Sequence, residues 1–304
     1  MLVSRAFVRF SRPHTIVATS VQVLAMFILA ATPSVDLTSF TAAGSLLLAL
    51  VASLSLNIYI VGLNQITDVD IDRLNKPYLP LAAGDFSPRQ GWILVLISGL
   101  LSLLLAFLQP PFLALTVGLG FLIGTIYSLP PLRFKERALG AALSIAFVRG
   151  VVTTVGLYLY FRGALGLSLQ LPPLIASAAV FFFGFGLVIA LYKDIPDLQG
   201  DRRFTVRTFT VRLGPQRVFA LGRWILTAFY LFPITYLLSR LPEFTAFAFL
   251  FAHLFVLLLF WLYSLRIDPS THTQMTRFYL GLWTIFYAEY GLLVVYHLAS
   301  HTLA

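Results

Sequence analysis

The chain alternates between long apolar stretches and short polar segments, and this pattern predicts membrane-spanning helices. Charged residues are absent from residues 13–35, 37–67, 90–132 and 163–192. A helix that crosses a bilayer needs about 20 apolar residues, because the apolar core is about 30 Å thick and each residue rises about 1.5 Å. Helices are predicted rather than open strands because lipid offers no partner for free backbone polar groups.

The longest stretch is too long for one crossing, and Gln109-Pro110-Pro111 divides it into two spans, since proline lacks the amide donor and disfavours helix in the preceding residue. The predicted spans number nine: 14–32, 41–63, 90–108, 112–129, 139–161, 172–192, 218–238, 244–264 and 278–299. The predicted fold class is therefore all-α, a multi-span membrane helical bundle forming a single membrane-embedded domain over residues 1–304.

Composition supports this prediction and excludes a water-soluble globular protein. Hydrophobic residues make up 59% of the chain and charged residues 11%, whereas soluble proteins have about 45–50% and about 25%. The net charge of +9 would suggest nucleic-acid binding in a soluble protein. Here 18 of the 21 Lys and Arg residues fall on one side of the predicted spans, which indicates a cytoplasmic N-terminus and cytoplasmic large loops. No nucleic-acid partner is expected.

Acidic residues are few and clustered. Six of the 12 Asp and Glu residues lie in two short segments, 68–72 and 194–201, each at the cytoplasmic end of a predicted span. Carboxylates this close repel one another unless a cation neutralises them. Helical spacing would place one set of polar residues on a single face: Asn64, Asp68 and Asp72. It would do the same for a second set, where Pro196 should distort or restart the helix: Asp194, Asp197 and Asp201.

The two acidic segments are also related to each other. Asn64-x-x-x-Asp68-x-x-x-Asp72 corresponds to Lys193-x-x-x-Asp197-x-x-x-Asp201 at a constant offset of 129 residues. Each segment follows an apolar span and leads into a basic loop. The offset predicts two related halves, about 1–138 and 139–264, followed by a final helix.

Two facing rows of oxygen ligands are typical of a site for a hard cation. Magnesium is the natural candidate, because it commonly uses one or two carboxylates and takes its other ligands from water and phosphate oxygens. A diphosphate substrate is the economical explanation. The basic residues near the acids would then bind diphosphate oxygens, although topology alone also explains their presence: Arg73, Lys76, Arg133, Lys135, Lys193, Arg202 and Arg203.

Several segments resemble a known family. NQITDVDIDRLNKPYLPLAAGDFS and KDIPDLQGDRRF resemble the two aspartate-rich motifs of the UbiA superfamily of intramembrane aromatic prenyltransferases. FSRPHT, NIYIVGLNQ, YSLPPLRFK and FVRGVVTTVGLYLYF extend the resemblance from the N-terminus to about residue 214. The finer resemblance is to homogentisate prenyltransferases, above all to the phytyltransferase group of cyanobacteria and plastids.

This resemblance implies a bundle around a central cavity, with the two motifs facing each other under a cytoplasmic cap. It implies two Mg²⁺ ions, the first held by Asn64, Asp68 and Asp72. The second would be held by Asp194, Asp197 and Asp201. The catalytic residues would be Asp68, Asp72, Asp197 and Asp201.

The implied reaction joins an isoprenoid diphosphate to a small aromatic acceptor within the lipid bilayer. Phytyl diphosphate would alkylate homogentisate with loss of CO₂, giving 2-methyl-6-phytyl-1,4-benzoquinol on the route to tocopherol. The expected location is a cyanobacterial plasma or thylakoid membrane. Alternatives are a solanesyl or geranylgeranyl donor, or a chlorophyll-type acceptor. A transporter is disfavoured, since the acids lie at span ends rather than along a pathway.

Three residues are candidates for acceptor binding. Arg149 is the one cation predicted inside a span, where an arginine is costly and usually paired. We expect it to contact the acceptor or the diphosphate, or to pair with Glu289. His14 and Tyr127 lie in two of the resembling segments, although both residue types are also common at membrane interfaces. His253 is expected to be a core histidine rather than a ligand.

Overall fold

A computed structural model describes residues 2–302, and within this range it contains helices and no strands. Nine helices in the described range are long and apolar enough to cross a membrane, which confirms the nine predicted spans. They are α1 (Pro13–Ala31), α2 (Phe40–Thr67), α3 (Pro88–Phe107), α4 (Pro111–Ser128), α5 (Ala138–Ala164), α6 (Pro173–Lys193), α7 (Pro215–Leu238), α8 (Phe244–Ser264) and α9 (His272–Thr302).

Local sequence explains where these helices begin. Five of them start with proline, which lacks an amide hydrogen and therefore fits the first helical turn. At the start of α3, the Ser87 hydroxyl accepts a hydrogen bond from the Gln90 amide at 3.3 Å, and the Gln90 side chain accepts one from the Ser87 amide at 2.8 Å. This reciprocal cap stabilises the first turn of α3.

Two spans extend further than their apolar stretches predict. α2 continues to Thr67 because Gln65, in its last turn, donates a hydrogen bond from Nε2 to the Phe10 carbonyl at 2.7 Å. Its side-chain N–H group is therefore paired without leaving the helix. α9 begins at His272, six residues before the predicted start, with a first turn that is exposed and polar.

The nine helices form a closed arrangement. Each packs against the next in the chain, and α9 returns to pack against α1. The outward face of α3 carries Leu96, Leu100 and Leu104, which are more than half exposed and four residues apart. Such a stripe of large apolar side chains is typical of a lipid-facing surface. Inside the bundle, aromatic residues dominate the largest fully buried side chains, and the Phe182 and Tyr290 rings stack with centroids 3.7 Å apart.

Candidate active site

The first acidic segment lies where α2 ends. Asp68 has non-helical backbone angles (φ −124°, ψ 17°), and a short helix, Val69–Asn75, follows it. The predicted continuous helix through this segment is therefore wrong, and the chain bends at Asp68. The three side chains stay aligned. The Asn64 side-chain amide donates from Nδ2 to Asp68 Oδ2 at 2.8 Å, and the Asp72 backbone N–H donates to the Asp68 backbone carbonyl at 2.7 Å.

The second acidic segment has the same construction. α6 ends at Lys193, and a short helix restarts at Leu198 and runs to Arg203. The interruption expected at Pro196 is confirmed. The 129-residue offset between the segments carries Val69, the first residue of the earlier short helix, onto Leu198, so both copies restart at equivalent positions. The relation between the two halves otherwise stays a prediction.

The structure brings the two segments together across one cavity of about 680 Å³. The short helices contact each other through a hydrogen bond of 3.0 Å from the Gly200 amide to Asn75 Oδ1. Lys76, which follows the first short helix, forms an ion pair with Asp197 of the second segment. All six residues predicted as metal ligands line this cavity: Asn64, Asp68, Asp72, Asp194, Asp197 and Asp201.

Two further lysines contact acids of the cavity. Lys135 Nζ lies 2.7 Å from Asp68 Oδ1 and donates to the Thr67 hydroxyl at 2.5 Å. Lys193 Nζ lies 2.9 Å from Asp194 Oδ1. Together with Lys76, these lysines place three ammonium groups among the carboxylates of one cavity, and their binding of phosphate oxygens stays a prediction.

Burial strongly perturbs the acids. It raises the pKa of Asp72 to about 6, with repulsion from Asp68 adding to the effect and Lys76 opposing it. Burial raises the pKa of Asp201 to about 8, with Asp194 and Asp197 contributing further. The pKa of Lys76 is raised, because the Asp197 and Asp72 carboxylates outweigh the effect of its burial. The lysines therefore do not fully offset the cost of ionising Asp72 and Asp201.

A hard divalent cation fits this demand. The available ligands are all oxygen atoms, and Asp72 Oδ2 is buried without a hydrogen-bond partner among the described residues. Within residues 2–302, no three acidic or histidine side chains are already grouped around one metal position. Each of the three lysine ammonium groups instead pairs with one of the carboxylates. Metal binding would therefore compete with the lysine ion pairs for the same oxygens.

Two arginines of the cavity have unusual backbones. Arg12 and Arg133 have left-handed φ angles of 53° and 38°, which are strained for a side chain of this size. Arg12 donates to Asn64 Oδ1 at 3.3 Å, and Arg133 donates to the Thr67 carbonyl at 3.1 Å. Sequence reasoning assigned Arg12 to topology alone. Its position next to the proline of FSRPHT was the available signal for a role in the site.

The remaining predicted diphosphate ligands are not brought to the cavity. Arg73 is exposed and pairs with Asp70 at 2.7 Å, and Arg202 and Arg203 are exposed on the second short helix. Arg73 and Arg202 each follow a buried aspartate directly, so helical rotation of about 100° turns them away from the cavity. None of the three lines the cavity.

The three candidates for acceptor binding lie at different depths. Tyr127 lines the cavity, and its hydroxyl accepts a hydrogen bond from Lys193 Nζ at 3.0 Å, so it contacts one of the predicted diphosphate ligands. His14 lines the cavity too, and its ring centroid lies 5.2 Å from that of Trp283. Arg149 lies deeper, outside the cavity lining, with its guanidinium carbon 4.8 Å from the Trp283 ring centroid. Sequence reasoning did not single out Trp283.

Of the alternatives for Arg149, the pairing with Glu289 is not formed. Glu289 accepts a hydrogen bond of 2.6 Å from the Tyr230 hydroxyl and lies 2.7 Å from His253 Nδ1. His253 is a buried core residue, as predicted, and its acidic partner comes from another helix. Because the residues of this trio are far apart in the chain, the sequence pattern did not reveal it.

Comparison with known proteins identifies the family. The model of the UbiA prenyltransferase family matches residues 19–287, which is most of the chain. The chain belongs to the UbiA prenyltransferase family. As a member of that family with nine apolar helices, it is an integral membrane protein and a prenyltransferase. The Asp-containing cavity is thus the candidate active site of a UbiA prenyltransferase.

Relatives within the UbiA family act on homogentisate by name. The homogentisate phytyltransferase of Synechocystis sp. is 44% identical over 294 residues, covering 95% of this chain and 94% of that protein. Homogentisate phytyltransferase 1 of Arabidopsis thaliana is 39% identical, covering 95% of this chain and 74% of that protein. The homogentisate solanesyltransferase of the same plant is 38% identical, covering 93% and 74%.

A solved UbiA structure has the same fold. The UbiA homologue of Archaeoglobus fulgidus bound to GPP and Mg²⁺ aligns with a TM-score of 0.72 at 19% identity, covering 97% of this chain and 98% of that one. This similarity confirms the predicted all-helical bundle around a central cavity.

Proposed function

We propose that this protein transfers the phytyl group of phytyl diphosphate to homogentisate. The main support is that the carboxylates of both segments line one cavity together with Lys76, Lys135 and Lys193, each of which pairs with one of these carboxylates. That arrangement provides ligands for a diphosphate and its counter-cations. Similarity to the Synechocystis phytyltransferase over nearly its whole length supports the choice of donor and acceptor.

We further propose magnesium at this site, with one ion for each acidic segment. Asn64, Asp68 and Asp72 would hold the first ion. Asp194, Asp197 and Asp201 would hold the second. Bound Mg²⁺ would supply positive charge that favours departure of the diphosphate. The archaeal homologue, which has the same fold, is bound to Mg²⁺ together with GPP, and this supports the choice of metal.

The protein's own cations have a defined task in this reaction. Each of the three lysines contacts a carboxylate and also lines the cavity, so the same ammonium groups can bind diphosphate oxygens. Arg12 and Arg133 line the cavity too, and their guanidinium groups are held there by hydrogen bonds to Asn64 Oδ1 and to the Thr67 carbonyl. Preorganised donors of this kind stabilise the negative charge that builds on the leaving group.

In the overall transfer, the allylic C–O bond of phytyl diphosphate breaks, and its electron pair leaves with the diphosphate. The electron-rich ring of homogentisate attacks the allylic cation and loses a ring proton. The side-chain carboxylate leaves as CO₂, and a proton takes its place to give the methyl group. The apolar bundle interior below the cavity would keep water from the cation.

We also propose that the cavity faces the cytoplasm, in a cyanobacterial plasma or thylakoid membrane. The cavity lies at the end of the bundle that carries the N-terminal arginines and the basic loops. An excess of Lys and Arg marks the cytoplasmic side of a membrane protein.

The donor is the part of the proposal that most needs a test. Detergent-purified protein with Mg²⁺ and homogentisate should be given phytyl, geranylgeranyl and solanesyl diphosphates, and the products identified by mass. We expect the highest kcat/KM with phytyl diphosphate. Preference for the solanesyl donor would instead place the protein with the solanesyltransferase relative.

A further inference from the structure

Arg149 lies inside α5 without an acidic partner. Within residues 2–302 its guanidinium makes no ion pair and no side-chain hydrogen bond, and it lies over the ring of Trp283. Glu289, the one acid inside a described span, is engaged by Tyr230 and His253. A cation at this depth is costly unless it is paired. An unpaired arginine therefore indicates a binding position for an anion.

The backbone around Arg149 is built to hold this side chain in place. Residues 147–152 form a π-turn, an arrangement that disturbs the regular hydrogen bonds of a helix and recurs at functional sites. Gln22 donates from Nε2 to the Arg149 carbonyl at 2.9 Å. The next residue, Gly150, lies against α6 so closely that a Cβ there would be 2.2 Å from the Phe183 amide nitrogen. Because Gly150 faces α6, Arg149 is turned toward Trp283 of α9.

Trp283 adds an unused donor at the same place. Its side chain is 2% exposed, and its indole N–H has no hydrogen bond of normal length and angle within the described residues, although the Tyr279 hydroxyl is close by. His14 and Tyr279 line the cavity and both contact the Trp283 ring. The two unsatisfied donors, on Arg149 and Trp283, thus lie directly behind the wall that His14 and Tyr279 form.

We propose that Arg149 and Trp283 form the subsite for the carboxylate of the aromatic acceptor. This inference rests on the proposed function, since the acceptor there is a hydroxylated phenylacetate with one ionised carboxylate. Arg149 would bind the carboxylate with charge-assisted hydrogen bonds, and the Trp283 N–H would donate a further bond. The acceptor ring would then lie among the rings of His14 and Tyr279, between the carboxylate subsite and the diphosphate cavity.

The diphosphate is the wrong anion for this subsite. Its oxygens already have three lysines and two arginines in the cavity, while Arg149 lies outside the cavity lining. A subsite with two donors and surrounding aromatic rings matches one carboxylate attached to an aromatic ring. It also predicts selection against uncharged acceptors, because these would leave the Arg149 guanidinium without a partner.

The test compares two acceptors of nearly the same shape. Binding of homogentisate and of methylhydroquinone, which has a methyl group in place of the carboxymethyl group, is measured by calorimetry on the purified protein with Mg²⁺ and inorganic diphosphate. We expect the native protein to bind homogentisate at least about tenfold more tightly. In Arg149→Met this preference should disappear, with methylhydroquinone binding unchanged. Trp283→Phe should weaken homogentisate binding about three- to tenfold.

Control variants separate binding from packing. Arg149→Lys keeps the charge and should retain part of the preference, and Trp224→Phe, at an exposed tryptophan, should retain all of it. An equal loss for both ligands in Arg149→Met and Trp283→Phe, or no loss for either, would overturn the subsite. If Arg149→Met does not fold, Arg149→Lys and Trp283→Phe decide by the same comparison.

The subsite and the proposed function can fail separately. Product formation by the native protein tests the function, whereas the binding preference tests the subsite. A protein that prefers homogentisate through Arg149 but makes no phytylated product would retain the subsite and lose the function. If the native protein makes the phytylated product but Arg149→Met still prefers homogentisate to methylhydroquinone, the function is retained and the subsite is lost.

Discussion

At the scale of single residues, the acids that line the cavity differ in their partners. Asp68 and Asp197 are each ion-paired to a lysine of the cavity, whereas Asp70, in the first acidic segment, is exposed and pairs with Arg73. Asp70 therefore serves as a control for substitutions of Asp68. Helical spacing gives the same distinction, since it would point Asp70 away from Asp68 and Asp72.

Asp68→Asn and Asp197→Asn should each reduce kcat/KM by on the order of a hundredfold or more, since each removes a charge that holds the diphosphate's counter-cations. Asp70→Asn should stay within a few-fold of the native protein. The measurement is initial rate against Mg²⁺ concentration with labelled phytyl diphosphate. Equal activity in Asp68→Asn and Asp70→Asn would contradict the assigned roles.

Tyr127, a candidate for acceptor binding, lines the cavity but contacts a predicted diphosphate ligand. Its hydroxyl accepts a hydrogen bond from Lys193, so we expect it to position that lysine for the diphosphate. Tyr127→Phe should raise KM for phytyl diphosphate about fivefold, the equivalent of one hydrogen bond, and leave KM for homogentisate unchanged. A rise in KM for homogentisate alone would contradict this role and indicate that Tyr127 binds the acceptor.

At the scale of helices, the apolar stretches predicted all nine spans because lipid forces each crossing to be a continuous helix. The sequence predicted only one of the two helix interruptions in the acidic segments. Pro196 indicates the break in the second segment, whereas no proline or glycine accompanies the bend at Asp68. The π-turn in α5 could not be predicted from local sequence either, because its surroundings, the Gln22 side chain and the close packing against α6, come from other helices.

That close packing gives a prediction for α5. A Cβ at position 150 would meet the α6 backbone at 2.2 Å, and backbone cannot move aside as a side-chain tip can. Gly150→Ala should therefore destabilise the protein by about 1–3 kcal/mol through overpacking. Gly118→Ala is the matched control, because nothing lies within 4 Å of a Cβ there. Thermal unfolding in detergent checks both, and equal melting temperatures would contradict the packing described.

At the scale of the whole molecule, the closed arrangement of helices joins residues that the sequence cannot relate. α9 packs against α1, and this contact brings Trp283 to His14 and Tyr290 to Gln22. Local periodicity carries no information across such distances, so Trp283 was missed although the acids were found. The acids were found because their clustering and their repeat are local features of a chain that has few charges.

The orientation in the membrane is a property of the whole molecule, and the natural chain helps to test it because it has no cysteine. Single substitutions at two exposed positions on opposite ends of the bundle, Arg203→Cys and Gln170→Cys, should react differently with an impermeant thiol reagent in intact cells. We expect Gln170→Cys to be labelled and Arg203→Cys to be labelled only after lysis. The opposite pattern would place the cavity outside the cytoplasm.

One cavity is proposed to couple diphosphate departure to alkylation and decarboxylation of homogentisate. The decisive measurement uses phytyl diphosphate and homogentisate labelled in its carboxyl carbon, and follows released CO₂ and phytylated quinol together in the presence of Mg²⁺. We expect the two products to form in equal amounts and both to disappear after chelation of the metal. Full conversion with the metal removed, or no phytylated product in its presence, would rule out the proposed reaction.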